Sequence, residues 1–412
     1  MQARTRLLWR ALLALAAVLA VIAPQAHALD RFTLARKLGH ESRWLGAASG
    51  AYVVDLTTGR ELFARNPDLA LIPASNEKLF TTAATVLLMG PSMRLTTVVR
   101  AAPGTTIDDS GVVHGDLYLV GGGDPSLDDR DLHSLAEQLV QEQGITAISG
   151  GIIGDESLFD LRRGGPRTLF RPDGSMGGVL SALTWGHGRA DAGGPAHLAA
   201  QRLHTLLKAD GVRMSRRARV GRLRAPAATL PPQETLAAVS SPTIRKLIRI
   251  TNQPSDNFYA EMLVKNLGAR FGGSGTTEAG VAVMRTELAK LGVEPTLTDG
   301  SGLSRGDRAT PRQIVKLLME MRNQPTGGDW AASLAAPGKW GTLHGRMRWT
   351  AAAGRCRMKT GTLIGVSALS GYCRAAGGDV IAFSFLENNV CAVCAKRVED
   401  RMVPAIARYS RP

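Results

Sequence analysis

Apolar positions alternate with polar ones in short runs of this chain and recur every three or four residues in longer runs, so strands and helices are interleaved. Residues 32–45 carry helical spacing. Residues 47–56 alternate as a strand, and Thr57-Thr58-Gly59-Arg60 reads as a turn into a second strand at 61–64. Asn66-Pro67 then leads to residues 73–89, PASNEKLFTTAATVLLM, an apolar run without an internal Gly or Pro that predicts a helix. From about residue 95 the texture changes. Short strands at 95–101, 112–120 and 147–154 are separated by Gly-rich turns, with helical segments at 132–143 and 196–210. Residues 164–195 are rich in loop formers, and 229–233, with Pro231-Pro232, reads as a linker. Helical spacing returns at 242–252, 258–267 and 311–321. A strand ending at 362, two more at 366–372 and 380–386, and a helix at 394–409 close the chain.

This order predicts an α/β core that is interrupted in sequence. Residues 29–94 and 234–412 form one domain, and 95–233 form a β-rich inserted domain, with a small subdomain nested near 160–215. A chain of 412 residues is long enough to bury more than one core.

The first 28 residues follow a different rule. Arg4, Arg6 and Arg10 precede an apolar stretch at 12–23, and Ala26-His27-Ala28 supplies a small-x-small site, so a secretory signal peptide cleaved after Ala28 is expected. An uncleaved anchor is the alternative, but the apolar stretch is short for spanning. An exported protein is therefore expected, periplasmic or otherwise extracytoplasmic.

Hydrophobic content of 44% and charged content of 21% are ordinary for a globular protein. The net charge of +15 loses three arginines and no acids with the leader, so the mature chain stays basic and favours polyanions. For an exported protein those are anionic envelope polymers. Nucleic acid is not expected, because the arginines are scattered, densest at Arg213, Arg216, Arg217 and Arg219, and no aromatic platform accompanies them.

Four cysteines in an exported chain permit disulfides. Cys356 and Cys373 fall on two strands joined by a short turn at Ile364 and Gly365, and antiparallel pairing about that turn sets them opposite each other. Cys391 and Cys394 have the spacing of half a zinc site, but no second Cys/His pair matches, so no metal is expected. The run Gly121-Gly122-Gly123-Asp124-Pro125 lacks the Lys and Ser/Thr of a phosphate loop and reads as a structural turn.

Candidate chemistry starts at Ser75 and Lys78, which lie three apart on a helix and so share a face. Orphan N–H groups in a first turn favour developing negative charge, and a buried lysine has its charged form disfavoured, leaving an amine able to take the serine proton. About one Ser-x-x-Lys is expected by chance in a chain of this length, and a capping serine followed by a surface lysine is its bland reading. Two later stretches change the picture. Ser255-Asp256-Asn257 opens a helix, and Lys359-Thr360-Gly361-Thr362 ends a strand. Either is mundane alone; the three together, in this order and on these elements, point to an acyl-enzyme hydrolase.

They resemble the penicillin-recognising serine enzymes, and most closely the class C penicillin-binding proteins of the D-alanyl-D-alanine carboxypeptidase/endopeptidase family. The resemblance covers nearly the whole mature chain. It includes GDLYLVGGGDPSL at 115–127, GDESLF at 154–159, DGSGLSR at 299–305 and KTGTLIGVSALSGY at 359–372, together with the large insert.

The resemblance implies a transpeptidase-like domain, an antiparallel five-stranded sheet flanked by helices, and cleavage between two D-alanines. It implies Ser75 as nucleophile, Lys78 as general base, Ser255 as proton relay, and Asn257 as holder of Lys78 and the substrate amide. Lys359 would raise the local positive potential, helping to keep Lys78 neutral and to attract the terminal carboxylate, Thr360 would bind that carboxylate, and Gly361 completes the motif. Backbone N–H groups of Ser75 and Thr362 would form the oxyanion hole. Stem peptides of peptidoglycan and β-lactams are the expected ligands, with no cofactor and with a homodimer as one expected assembly. The family also reads a substrate amine with an acid from the insert. Asp173 falls near that place, but TLFRPDGSMGGVLSALTWGHG lacks the tryptophan expected before the acid and the asparagine expected after Ala-Leu, so a solvated loop aspartate is the competing reading. Two rivals remain: a serine β-lactamase, for which no Glu signature is present, and a catalytically silent wall-binding scaffold.

Overall fold

The computed structural model describes residues 28–223 and 235–411, so the expected leader up to His27 and the linker at 229–233 lie outside the described residues. Its centre is an antiparallel five-stranded sheet, as expected, in the order Cys356–Leu363, Val366–Arg374, Val380–Asn388, Ser49–Asp55, Arg60–Arg65. Both faces are covered, which is why the inner strands are apolar nearly throughout. Ala368, Tyr372, Ala382 and Leu386 point to the front layer, while Leu369, Cys373, Ile381, Phe383 and Phe385 point to the back. Helices Arg31–Ser42 and Ala392–Ala407 close the back.

The front layer is built round the helix Glu77–Met89. Leu79, Phe80, Ala83, Ala84 and Val86 are all removed from water, and so are Thr81, Thr82 and Thr85, so this helix is buried nearly all round and central rather than amphipathic. Its threonines stay satisfied locally: the Thr82 hydroxyl donates to Lys78 O at 2.7 Å and that of Thr85 to Thr81 O at 2.7 Å. Helices Ile244–Asn252, Asn257–Phe271 and Thr277–Ala289 pack about it, and Pro311–Asn323 lies against the sheet in the same layer.

The insert has its own core, but it is not simply β-rich. Strands Leu117–Val120, Ile152–Asp155 and Arg219–Val220 are parallel neighbours, and helices Asp129–Glu137 and Pro195–Ala209 lie on the two connections between them. The runs expected as single strands at 112–120 and 147–154 each break into two, Val112–His114 with Leu117–Val120 and Ala147–Ile148 with Ile152–Asp155. The halves belong to two different sheets. Thr235–Ser240, which the sequence gives to the main domain, pairs with Thr96–Ala101 and extends the insert's larger sheet. Residues 160–215 divide between two cores: Met176, Leu180 and Ala182 join the front layer, while Ala199, Leu203 and Leu207 join the insert.

The insert rests on the helix Asn257–Phe271. Gly123, at φ 81°, approaches it so closely that an added Cβ would lie 2.6 Å from Asn266 Oδ1, and Asn266 Nδ2 donates to Gly123 O at 2.8 Å. The Gly run is thus the structural turn the sequence suggests. Cys356 and Cys373 are opposite in the register and joined, and Cys391 is joined to Cys394.

Candidate active site

Ser75 does not sit in the α-helix itself. It occupies a single 3-10 turn, Ala74–Asn76, entered through Ala74 at φ 46°, and the α-helix starts at Glu77. The Ser75 hydroxyl keeps partial exposure while Lys78 is wholly buried beneath it. The Lys78 Nζ lies 3.2 Å from Ser75 Oγ, 2.6 Å from Asn257 Oδ1 and 2.6 Å from Ser301 O. Asn257 is oriented by its own Nδ2, which donates to Ser175 O at 2.7 Å, so its carbonyl oxygen faces the lysine. A neutral amine has two N–H groups and one lone pair. The two short contacts use the N–H groups, which leaves the lone pair for the Ser75 hydroxyl.

Burial is the largest cause acting on Lys78 and takes its pKa down to about 8; Asp299, Glu261, Asp256 and Glu77 act the other way. Burial, already expected to disfavour the charged form, is thus the first cause. Lys359 is itself wholly buried, its pKa pushed well below the ordinary lysine value by burial and then by Lys78. Its Nζ donates to Ser255 Oγ at 2.7 Å and to Thr360 O at 2.9 Å. Ser255 is held at φ 66°, one residue before Asp256, whose carboxylate caps the helix Asn257–Phe271. That turn points Ser255 at the strand while Asn257 points at Lys78.

Gly361 explains why the edge strand can lie so near the nucleophile. A Cβ there would stand 2.7 Å from Pro73 O and 3.1 Å from Ser75 N. Thr362 follows, exposed at the edge. The Thr360 hydroxyl lies 2.8 Å from that of Thr342, whose N–H donates to Gln253 O at 2.9 Å.

Several neighbours are not legible as site residues in the sequence. Ser301 supplies a backbone carbonyl to Lys78, and only its place in the DGSGLSR stretch marks it. That loop is pinned by buried carboxyls. Glu261 Oε1 accepts from the N–H groups of Gly300 and Ser301 at 3.0 and 2.8 Å, and Asp299 accepts from Gly302 and Ser304, both at 2.7 Å. Burial raises the pKa of Glu77 and of Glu261, favouring their neutral forms. Thr342 and His187 have no signal. The His187 ring bonds Asp256 Oδ2 at 2.8 Å, and that contact raises its pKa. Asp173 lies on the loop that reaches Asn257 through Ser175. Its Oδ1 accepts from Met176 N–H at 2.9 Å, and Arg167 stands 3.8 Å from its other oxygen.

Comparison with known proteins gives the family of the chain. The model of the D-Ala-D-Ala carboxypeptidase 3 (S13) family matches residues 33–169 and 188–409; Asp173, Ser175 and His187 fall between the two matched segments. A D-alanyl-D-alanine carboxypeptidase of Actinomadura sp. (strain R39) is 33% identical over 89% of this chain and 82% of its own length. Carboxypeptidase DacB of Mycolicibacterium smegmatis is 30% identical over 84% and 77%. The crystal structure of penicillin binding protein 4 (dacB) from Haemophilus influenzae superposes with a TM-score of 0.77 at 19% identity, covering 89% of this chain and 97% of that one. Family profile and relatives place the chain in the D-Ala-D-Ala carboxypeptidase 3 (S13) family, as an enzyme of the serine DD-carboxypeptidase type.

Proposed function

We propose that the cleft cleaves the bond between the two terminal D-alanines of peptidoglycan stem peptides through an ester on Ser75. The observation that carries this reading is the position of Lys78, buried, short of a carboxylate partner, and 3.2 Å from the Ser75 hydroxyl. Lys78 takes the proton as Ser75 Oγ attacks the carbonyl carbon, and the negative charge collects on the carbonyl oxygen. The N–H groups of Ser75 and Thr362 receive that oxygen, an effect of roughly 2.7–4 kcal/mol per donor in other enzymes. Ser255 relays a proton to the departing D-alanine amine, so that the proton Lys78 took from Ser75 leaves with the amine and Lys78 is neutral again; Lys359 holds the Ser255 hydroxyl through the 2.7 Å contact. Water then hydrolyses the ester.

An arriving carboxylate favours the charged form of Lys359, which burial disfavours. Thr360, with Thr342 behind it, is set to hydrogen-bond the same carboxylate. A β-lactam offers a strained amide and a carboxylate in similar positions, so it acylates Ser75. Cross-linked stem peptides present a D-D bond of the same kind, and endopeptidase action is a second use of the same chemistry. Asp173 would have to exchange Arg167 for a substrate amine.

Export through a cleaved leader fits the described start of the fold. Leu29, the first residue after the expected cleavage, donates its N–H to Arg408 O at 2.8 Å and accepts from Ser410 N–H at 3.0 Å. No helix among the described residues is long and apolar enough to cross a membrane.

Intact-mass measurement with penicillin, run beside a peptide ending in D-Ala-D-Ala, tests the proposal. A lasting adduct and released D-alanine are expected for the wild type, with both lost in Ser75→Ala. A fleeting adduct with hydrolysed drug and untouched peptide would indicate a β-lactamase instead. Neither adduct nor release would leave a silent scaffold.

A further inference from the structure

The strand that carries Lys359 has a second cluster of cations at its opposite end. Arg355 precedes the strand Cys356–Leu363 and Arg357 is its second residue, Arg374 ends Val366–Arg374, and Arg322 lies in the last turn of Pro311–Asn323. The four line one cavity of about 480 Å³ with Tyr372.

The register makes the cluster costly. Arg357 faces Tyr372 across the strands, and Arg374 donates its N–H to Arg355 O at 3.1 Å. By the two-residue period of a strand, Arg355, Arg357, Tyr372 and Arg374 therefore share one face. Like charges placed opposite each other on neighbouring strands destabilise the pairing. Carboxylates could relieve this, yet among the described residues none of the four arginines has an ion pair. The acids nearest in sequence are engaged elsewhere: Asp329 with Arg245, Glu320 with Lys316 and Asp379 with Arg411.

The cavity is also built rather than merely charged. Arg357 donates from Nη1 to Gly354 O at 3.1 Å and to Cys356 O at 2.9 Å, and its guanidinium lies 4.7 Å from the centre of the Trp340 ring. Burial pushes its pKa below the usual arginine value, so it is partly desolvated with no counter-charge to offset the loss. The Tyr372 hydroxyl donates to Leu318 O at 2.6 Å, which fixes the ring.

We propose that Arg322, Arg355, Arg357 and Arg374 form a binding site for a small phosphate-class anion carrying two or more negative charges. A guanidinium fork matches the oxygens of phosphate or carboxylate, but one carboxylate is saturated by one or two forks and leaves the other arginines uncompensated. A phosphate group brings nearly two charges and three acceptor oxygens to a single point. The site is distinct from the cleft, since it opens beside Gly327 and Gly328 rather than toward Ser75. The anion could arrive free or as a lipid headgroup. Arg322, Arg355 and Arg374 are exposed at its rim, so both sources have access.

Calorimetric titration of the mature protein with inorganic pyrophosphate, at fixed ionic strength set with potassium chloride, tests this. Saturable one-to-one binding is expected, weakened at least tenfold in Arg374→Gln and in Arg357→Gln and unchanged in Arg217→Gln, an exposed arginine on the insert. Arg374→Lys, which keeps the charge and loses the fork, should fall between. Penicillin labelling at the wild-type rate shows that a variant is folded. Should Arg357→Gln not fold, the two Arg374 variants decide alone. Vesicles of phosphatidylglycerol in phosphatidylcholine form the second arm. Binding that needs Arg374 and is displaced by pyrophosphate would assign the site to a headgroup and keep its chemistry. Absence of pyrophosphate binding, or equal binding by the Arg374→Gln and Arg217→Gln proteins, would overturn the site. Citrate binding as tight as pyrophosphate, with the same arginine dependence, would overturn the phosphate assignment.

Discussion

Lys78 and Lys265 are both fully buried, on helices that pack against each other, yet Lys265 ends on the Asp160 carboxylate while Lys78 ends among three neutral oxygens. Lys265 ties the helix Asn257–Phe271 to Asp160, in the segment that follows the insert strand Ile152–Asp155, and its Nζ stands 5.8 Å from the centre of the Phe159 ring. Burial lowers the pKa of Lys265 as well, but there the Asp160 carboxylate acts against burial and favours the charged amine. Neutral acceptors do not, so Lys78 can release or take one near neutral pH. The carboxyls nearest Lys78 act only through space: Glu261 and Asp299 spend their hydrogen bonds on the backbone of the 299–305 loop. Depth of burial alone thus does not mark a base; the partner does.

The sharpest way to break this comparison is to remove each amine in turn. Lys78→Ala should cut the rate of penicillin acylation by roughly 10²–10⁴-fold, the usual worth of a general base, with the fold retained by circular dichroism. Lys265→Met should leave the acylation rate of the folded protein unchanged and cost about 3 kcal/mol of stability in denaturant unfolding. That is the lower end for breaking a buried pair, because Asp160 keeps some solvent. A slow Lys265→Met enzyme would show that the two lysines are not separate in function.

Gly361→Ala probes the geometry rather than the proton. The new methyl must displace either Pro73 or the strand, so acylation should fall about 100-fold, as small misplacements of reacting groups do. Asp173→Asn should have the smallest effect. Its partners are a nearby N–H group and a surface arginine, so the KM for a stem peptide with a free amine should change by about fivefold at most. A larger loss would make Asp173 the reader of that amine.

How much of this the sequence discloses depends on the distance over which each feature is determined. Ser75 and Lys78, three residues apart, and the hairpin turning at Gly365, φ 77°, are local, and so is the facing of Cys356 and Cys373, which follows by counting back from the turn. The central sheet is legible because its strands are apolar on both faces. The inserted domain's edge is not, because Thr235–Ser240 chooses its sheet by pairing with residues 135 or more positions earlier. The helix Thr277–Ala289 shows little amphipathic pattern. It packs through Gly280, where a Cβ would meet Val264 O at 2.0 Å, and a backbone contact of that kind leaves no apolar stripe. The carboxyls under Lys78 come from three separated stretches and converge only in the fold.

The central claim is that an uncharged Lys78 accepts the Ser75 proton, and the pH dependence of acylation tests it most directly. Lys78 is protonated below its pKa of about 8, so the second-order rate constant for penicillin acylation should rise about tenfold per pH unit from pH 6 and level off above pH 8. A profile that is flat between pH 6 and pH 9, in a protein shown to stay folded across that range, would contradict the account.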